Sequence, residues 1–380
     1  MIAQVKHIYF LGIGGIGMSA LARYFHMAGV HVAGYDKTST PLTKQLEAEG
    51  MAVHYEDDLN LVSEEIKDVA HKDQTLVVYT PAVPKDHKEY NFFLSNGYTL
   101  LKRSQLLGQV TENSFCIGVA GTHGKTTTST LITHLLKSGG IACNAFLGGI
   151  SANYDSNLLL GNGEFNGKKV VVVEADEFDR SFLTLSPDIA VITSTDADHL
   201  DIYGKHEELK KSFLDFSNKL KTGGLLFIKA ELPVIPELKV NYKIYSLNGN
   251  AEVNGSNLRI ENAQYSFDLS IDGTEIKSLQ LGVPGWHNVE NAVVASAVAL
   301  HMGVSEADLR DGLESFRGAK RRFEYILRSP EIIFIDDYAH HPEEIKAFLS
   351  SVKQMYPGKK VTTIFQPHLF TRTRDFAVGF

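Results

Sequence analysis

A chain of 380 residues with 43% hydrophobic and 22% charged residues is long enough for two or three domains with substantial cores. Its net charge of −8 favours neither nucleic acid nor an anionic membrane surface as a partner, so any basic phosphate pocket must be local. Cys116 and Cys143 are the two cysteines, which excludes a disulfide framework and zinc spacing and fits a reducing compartment. With no signal peptide and no apolar run long enough for a bilayer, the expectation is a cytoplasmic protein with no membrane partner.

The first segment, residues 1–111, opens with an apolar stretch from His7 to Leu11 that predicts a short buried strand. Gly12-Ile13-Gly14-Gly15-Ile16-Gly17 follows, then a predicted helix from Met18 to Ala28 and a strand from Val30 to Tyr35. Asp36 stands about 20 residues beyond the last glycine, the place of the ribose-binding acid in a dinucleotide fingerprint. The loop fits any pyrophosphate-bearing nucleotide; close strand–helix packing is the competing reading. Strands at Ala52–His54 and Leu76–Tyr79 continue a parallel sheet. Thr80 and Ala82, just past a strand end, belong near the same pocket. Leu100 to Ser104 predicts a last short strand running into a helix, where Arg103 meets a phosphate or solvent.

The second segment, residues 112–320, carries the strongest signal. Phe115 to Val119 reads as a strand and Ser129 to Lys137 as a helix, joined by Gly121-Thr122-His123-Gly124-Lys125-Thr126-Thr127-Thr128. Glycines let backbone wrap phosphates, and helix-start N–H groups point at the anion. Lys125 reaches outer phosphates, and Thr126 or Thr127 holds magnesium. A standard P-loop has glycine six residues before the lysine; here that position is Val119, so the loop is a variant.

Phe146-Leu147-Gly148-Gly149-Ile150 reads as a small-residue turn. The β-branched run Lys168–Val173 ends in Glu174-Ala175-Asp176-Glu177, and an acid at such a strand tip is a second magnesium anchor. The strand Asp188–Ile192 leads to His199. Thr126, Glu174 and His199 are therefore expected to converge on metal and phosphates. Residues 222–282 predict an antiparallel extension with turns at Asn248-Gly249, Asn254-Gly255 and Asp272-Gly273. A small-residue helix, Ala292 to Leu300, follows Asn288 and Asn291; their amides either pair with an adenine edge or cap the helix.

The third segment, residues 321–380, begins at Arg321 and Arg322, placed to clamp a γ-phosphate. Ile332–Ile335 predicts a buried strand, and Val361–Phe365 a second. Between them, His340 and His341 are adjacent and diverge, so they suggest no metal pair; Pro342 opens a helix. Arg372 and Arg374 suit a carboxylate or phosphate. Two strands and one or two helices do not complete a doubly wound domain, so the third domain is expected to be partial.

Taken together, these motifs resemble the Mur ligases. The resemblance covers all 380 residues and rests on both glycine loops, Glu174 to Glu177, Asp198-His199, Gly285 through Asn291, Arg321-Arg322-Phe323, Asp337 through Pro342, and Phe365-Gln366-Pro367-His368 through Thr373. It implies an α/β protein of three domains: a Rossmann-like UDP-binding domain, a P-loop ATPase domain and a Rossmann-like C-terminal domain. It further implies ATP and Mg2+ as cofactors, and ATP-dependent amide formation between the lactyl carboxylate of UDP-N-acetylmuramate and L-alanine, through an acyl phosphate. By resemblance His123 positions substrate, and Tyr338, His340, Arg372 and Arg374 serve the amino acid or carboxylate. Leu369 stands where the family's pattern often carries arginine. A monomer or weak homodimer is expected. The rivals are a ligase joining a tripeptide to the same sugar nucleotide, a non-catalytic nucleotide-binding fragment, and a nicotinamide oxidoreductase, which leaves Lys125 and Glu174 without a purpose.

Overall fold

The computed structural model describes residues 5–380 except 198–199, 248, 250, 262–263 and 369. Its contacts divide the chain into two units, Met1–Asn113 and Ser114–Phe380.

In the first unit, β1 (His7–Leu11) is buried over its last four residues, as a central parallel strand must be. It is followed by α1 (Ile16–Met27), β2 (His31–Tyr35), α2 (Pro41–Ala48), β3 (Ala52–His54), α3 (Glu64–Lys67), β4 (Thr75–Tyr79), α4 (Lys88–Ser95), β5 (Thr99–Lys102) and α5 (Arg103–Glu112). A capping box between Thr40 and Thr43, with proline at the first turn, starts α2. All the strands pair in parallel in the order β3-β2-β1-β4-β5. The order reverses between β1 and β4, which opens a crevice at their carboxyl ends. Helix α1 starts two residues before the expected Met18, at Ile16. Inside the unit, the Tyr9 hydroxyl donates to Glu89 Oε2 at 2.5 Å and lies 2.7 Å from His54 Nε2. Burial pushes the Glu89 carboxyl up to about 7.

The second unit is built on β6 (Phe115–Ala120), fully buried. After it come α6 (Lys125–Ser138), β7 (Asn144–Ser151), β8 (Ser156–Leu159), β9 (Glu164–Phe165), β10 (Lys168–Glu174), β11 (Ile189–Ile192), α7 (Leu200–Tyr203), α8 (His206–Ser217), β12 (Leu225–Lys229), β13 (Tyr242–Ser246), β14 (Val253–Glu261), β15 (Gln264–Ile271), β16 (Thr274–Leu281), α9 (Trp286–His301) and α10 (Glu306–Ser315). The main sheet runs β16-β15-β14-β13-β12-β11-β6-β10-β7-β8. Its centre is parallel, and β6 lies between β10 and β11. Helices α6 and α9 pack together, and α9 buries Ala292, Ala295 and Ala299.

Several elements differ from the sequence expectation. Phe146–Ile150 is part of β7, not a turn, because Phe146 pairs in the sheet with Val173 and Leu158. The extension begins with two parallel strands, β12 and β13; only β14 to β16 are antiparallel. Asn254-Gly255 lies inside β14, where the backbone pairs with Ser270 and Leu269. Asp272-Gly273 does turn the β15–β16 hairpin, with φ of +49° and +81°, the geometry of a two-residue hairpin loop. Asn248 lies outside the described residues.

The end of the second unit holds β17 (Glu324–Arg328), β18 (Ile333–Asp336), α11 (Pro342–Met355) and α12 (Phe370–Asp375). The β17–β18 pair is an antiparallel hairpin, and Ile332 and Phe334 are exposed rather than buried. Residues 361–368 form no strand, and Ile364 is 94% exposed. Among the described residues β18 pairs only with β17, so this segment has no sheet neighbour to fix it. Helix α11 nonetheless joins the core through Phe348, Val352 and Met355.

Candidate active site

The second glycine loop leaves β6 and enters α6 directly at Lys125, four residues before the expected helix start. Gly121 and Gly124 have φ of +138° and +84°. A Cβ on Gly121 would overlap Thr193 and Ser194, and one on Gly124 would meet Asn291 Oδ1 at 2.8 Å. Both positions therefore require glycine. The end of β11 pins the loop from behind. The Thr193 hydroxyl donates to the carbonyls of Ala120 and His123, and Ser194 Oγ accepts from His123 N at 2.7 Å and touches Thr122 Oγ1 at 2.8 Å. The start of α6, with Thr126, Thr127 and Thr128 in its first turn, is a helix N-terminus suited to an anion.

Lys125 folds back over this loop. Its Nζ donates to Gly121 O at 2.6 Å and pairs with Glu177 at 2.8–2.9 Å. Burial pulls the Lys125 ammonium down, but the charges of Glu177, Asp176 and Glu174 outweigh it and hold the group above the usual lysine range. Burial pushes both Glu174 and Glu177 up, opposed by Lys125. Glu174 is also hydrogen-bonded by the Thr126 side chain. Its Oε2 accepts from Gly148 N at 3.1 Å, and a Cβ on Gly148 would overlap the carboxylate. The Thr126 hydroxyl and Glu174 carboxylate thus share one spot and form a hard-oxygen set fit for magnesium. His199 lies outside the described residues.

Asn288 and Asn291 fall inside α9, whose cap is Gly285, so neither is the helix cap. The Asn288 amide donates to Pro284 O at 2.5 Å, and Asn291 faces Gly124. Arg322 stacks on Tyr338 at 5.2 Å, as does Arg321. Asp337 accepts from the backbone of Phe323 and Ala339, both at 2.7 Å. Tyr338, His340 and His368 form a ring cluster with centroids 5.0–6.3 Å apart. Burial lowers the His340 pKa. Arg372 is buried, and its charge also acts on His340. Arg374 is exposed and paired with Asp375 at 2.7 Å, so the structure does not bring it to this group. Leu369 is outside the described residues.

In the first unit the other glycine loop is equally tight. Gly12 has φ of +89°, and a Cβ there would meet Thr80 at 2.6 Å. Gly14 N donates to Asp36 Oδ2 at 2.7 Å. Gly15 caps α1 without a side-chain bond, and α1 begins at Ile16 directly behind the loop. A Cβ on Gly17 would meet Arg103 Nη1 at 2.8 Å. The loop therefore gathers Asp36, Thr80 and Arg103; Ala82 is exposed on the strand-end turn.

Three family models match the chain: "Mur ligase family, catalytic domain" over residues 7–114, "Mur ligase middle domain" over 119–299 and "Mur ligase, glutamate ligase domain" over 321–379. A UDP-N-acetylmuramate–L-alanine ligase of Christiangramia forsetii is 53% identical over 377 residues, covering 99% of this chain and 80% of its own. The chain belongs to the Mur ligase family. Among solved structures, the UDP-N-acetylmuramate–alanine ligase MurC of Thermotoga maritima matches with a TM-score of 0.83 at 29% identity, over 97% of this chain and 83% of that one. A murein peptide ligase of Psychrobacter arcticus matches with 0.75 at 25%, over 96% and 79%. The three-domain Mur ligase fold thus accounts for the chain.

In the sequence of this Mur ligase, Glu177 and Asp337 stood only as motif members without a role, Gly148 only as part of a turn, and Glu344 was not singled out. Glu177 was visible as the second acid after a buried strand. Glu344 was visible as the third residue after His341, the capping-box position of a helix opened by Pro342. Gly148 carried no such signal, since its constraint comes from a side chain distant in sequence.

Proposed function

We propose that this chain joins L-alanine to the lactyl carboxylate of UDP-N-acetylmuramate, with ATP converted to ADP and phosphate, as a step in peptidoglycan precursor synthesis. The 53% identity to an L-alanine ligase along nearly the whole chain carries this reading. The lower similarity to the murein peptide ligase ranks the tripeptide second. The domains are read as 1–111 for the UDP-sugar, 112–320 for ATP and 321–380 for the amino acid. Buried free thiols at Cys116 and Cys143 fit the cytoplasm, and among the described residues no helix is long and apolar enough to cross a membrane.

The site's own residues divide the work. Gly121 to Thr127 cradle the triphosphate, and Lys125 leaves Glu177 to meet its outer oxygens. Thr126 and Glu174, with His199, would hold Mg2+, which supplies charge neutralisation on the transferring phosphoryl group. Asn288, Asn291 and Arg322 serve ATP. In the first unit Gly12, Gly14, Gly15, Ile16, Gly17, Asp36, Thr80, Ala82 and Arg103 hold the UDP-sugar. The lactyl carboxylate attacks the γ-phosphorus, ADP leaves, and an acyl phosphate forms. The neutral amine of L-alanine attacks the acyl carbon, the tetrahedral intermediate collapses, and phosphate leaves as the amine loses its proton. Tyr338, His340 and Arg372 orient the carboxylate partners; Arg374, held by Asp375, is left out of this group. Mass analysis after incubation with ATP, Mg2+, UDP-N-acetylmuramate and equal L-alanine and tripeptide tests the choice. The alanyl product is expected; a tripeptide product instead would move the chain to the recycling reaction.

A further inference from the structure

The histidine of the phosphate loop has a partner more than half the chain away in sequence. His123 Nδ1 lies 3.0 Å from Glu344 Oε1. The other Glu344 oxygen accepts from the backbone of His340 and His341, at 3.0 and 3.3 Å. One carboxylate therefore caps α11 and holds a P-loop side chain. Capping needs only Oε2, so the bond from Oε1 to His123 is a separate allegiance. A carboxylate accepts and does not donate, so the shared proton sits on Nδ1. Burial opposes charge on Glu344, but the His123 bond and the charges of His123, His340 and Arg322 hold its carboxyl well below the usual range.

The rest of the ring is also fixed. His341 packs against it with centroids 5.0 Å apart. His123 Nε2 is buried and has no hydrogen-bond partner among the described residues; Asp196 Oδ2 stands 3.6 Å away. The same arrangement, an acid orienting a histidine through Nδ1 and leaving Nε2 for reacting groups, recurs in unrelated hydrolases.

Building on the ligase reading, we propose that Glu344 is a positioning residue for His123. It fixes the ring and keeps a proton on Nδ1, so that Nε2 is presented to the phosphate loop. It also makes that presentation depend on the start of α11 being seated against the loop. Within one compact unit, the amino-acid end of the chain thereby sets the state of the ATP loop.

The test uses Glu344→Gln. This variant keeps an oxygen for the two backbone donors but turns an amide donor toward Nδ1. Nitrogen NMR of histidine-labelled protein should show a protonated Nδ1 that vanishes in His123→Asn and loses its proton in Glu344→Gln. The turnover number should fall on the order of 10- to 100-fold, the usual effect of removing an orienting partner, with KM for the UDP-sugar unchanged. In the double variant the loss should equal that of His123→Asn alone. Losses that multiply, or an unmoved Nδ1 signal, would leave only a helix cap and overturn the proposal. Should Glu344→Gln fail to fold, Glu344→Asp, which withdraws the carboxylate from His123, is read in the same cycle. If the parent chain makes no alanyl product, the ligase reading fails, and the NMR comparison still decides the pair.

Discussion

The two glycine loops solve one backbone problem and arm it differently. Each follows a buried parallel strand, each turns at a glycine with positive φ, and each opens a helix whose cap glycine makes no side-chain bond. The first loop is held by Asp36 on Gly14 and has Arg103 across Gly17. The second is crowded with Lys125, Glu174 and Glu177. A loop that only binds a diphosphate needs shape and one cation. A loop that transfers a phosphoryl group needs a mobile ammonium and a metal seat, both held ready before the nucleotide arrives. The buried acids show the same contrast. Glu177 has an ammonium partner, whereas Glu89 in the first unit has the Tyr9 hydroxyl and a histidine.

The largest effect should come from Lys125→Ala, which strips the second loop of its ammonium. Turnover should fall by at least about 10²–10³-fold, while calorimetry should find UDP-sugar binding unchanged. Loss of both together would break the separation of the loops. Next, Gly148→Ala drives a methyl into the Glu174 carboxylate. The magnesium needed for half-maximal rate should rise roughly 10- to 100-fold, and an unaltered magnesium curve would remove Glu174 from the metal seat.

A smaller effect sharpens the first loop. At Gly15 the φ is −64° and an added Cβ would meet only ordinary contacts at 3.6 Å and beyond, so Gly15→Val adds its Cβ without a clash. The side chain should obstruct a pyrophosphate and weaken UDP-sugar binding about tenfold, or about 1.4 kcal/mol, with ATP affinity intact. Equal UDP-sugar affinity would remove this loop from the sugar site.

The last effect concerns stability. The folded chain keeps the Glu89 proton up to about 7, whereas the unfolded chain releases it near 4.5. Across that window the folded state binds more protons, so this contribution is full at the acid end and is lost as pH rises through about 7. Urea midpoints should show that Glu89→Gln flattens this decline, and an unchanged slope would place the titration elsewhere.

Much of this is legible in the sequence alone. Strand β1 and the run into Glu174 fell where continuous apolar and β-branched residues put them, because strands buried in a parallel sheet are nearly uniform in composition, and the part-exposed β3 fell at Ala52–His54 as expected. Asp36 and Thr80 came to the first loop as fingerprint spacing and strand-end position implied. The failures have physical causes. Gly148-Gly149 looks like a turn locally, and only pairing with β10 and β8 makes Phe146 part of a strand. Val361–Phe365 has strand composition but no neighbour to pair with among the described residues. Arg374 sits in a basic motif, yet the adjacent Asp375 satisfies it. Glu344 reads locally as a helix cap, and its second role depends on a contact that no local pattern records.

The central claim is that the sugar's carboxylate is phosphorylated by the nucleotide on the Lys125 loop. The most direct measurement supplies UDP-N-acetylmuramate labelled with ¹⁸O in the lactyl carboxylate, together with ATP, Mg2+ and L-alanine, and weighs the released phosphate. Transfer of one labelled oxygen into phosphate is the expected result; unlabelled phosphate released alongside alanyl product would contradict the acyl-phosphate route.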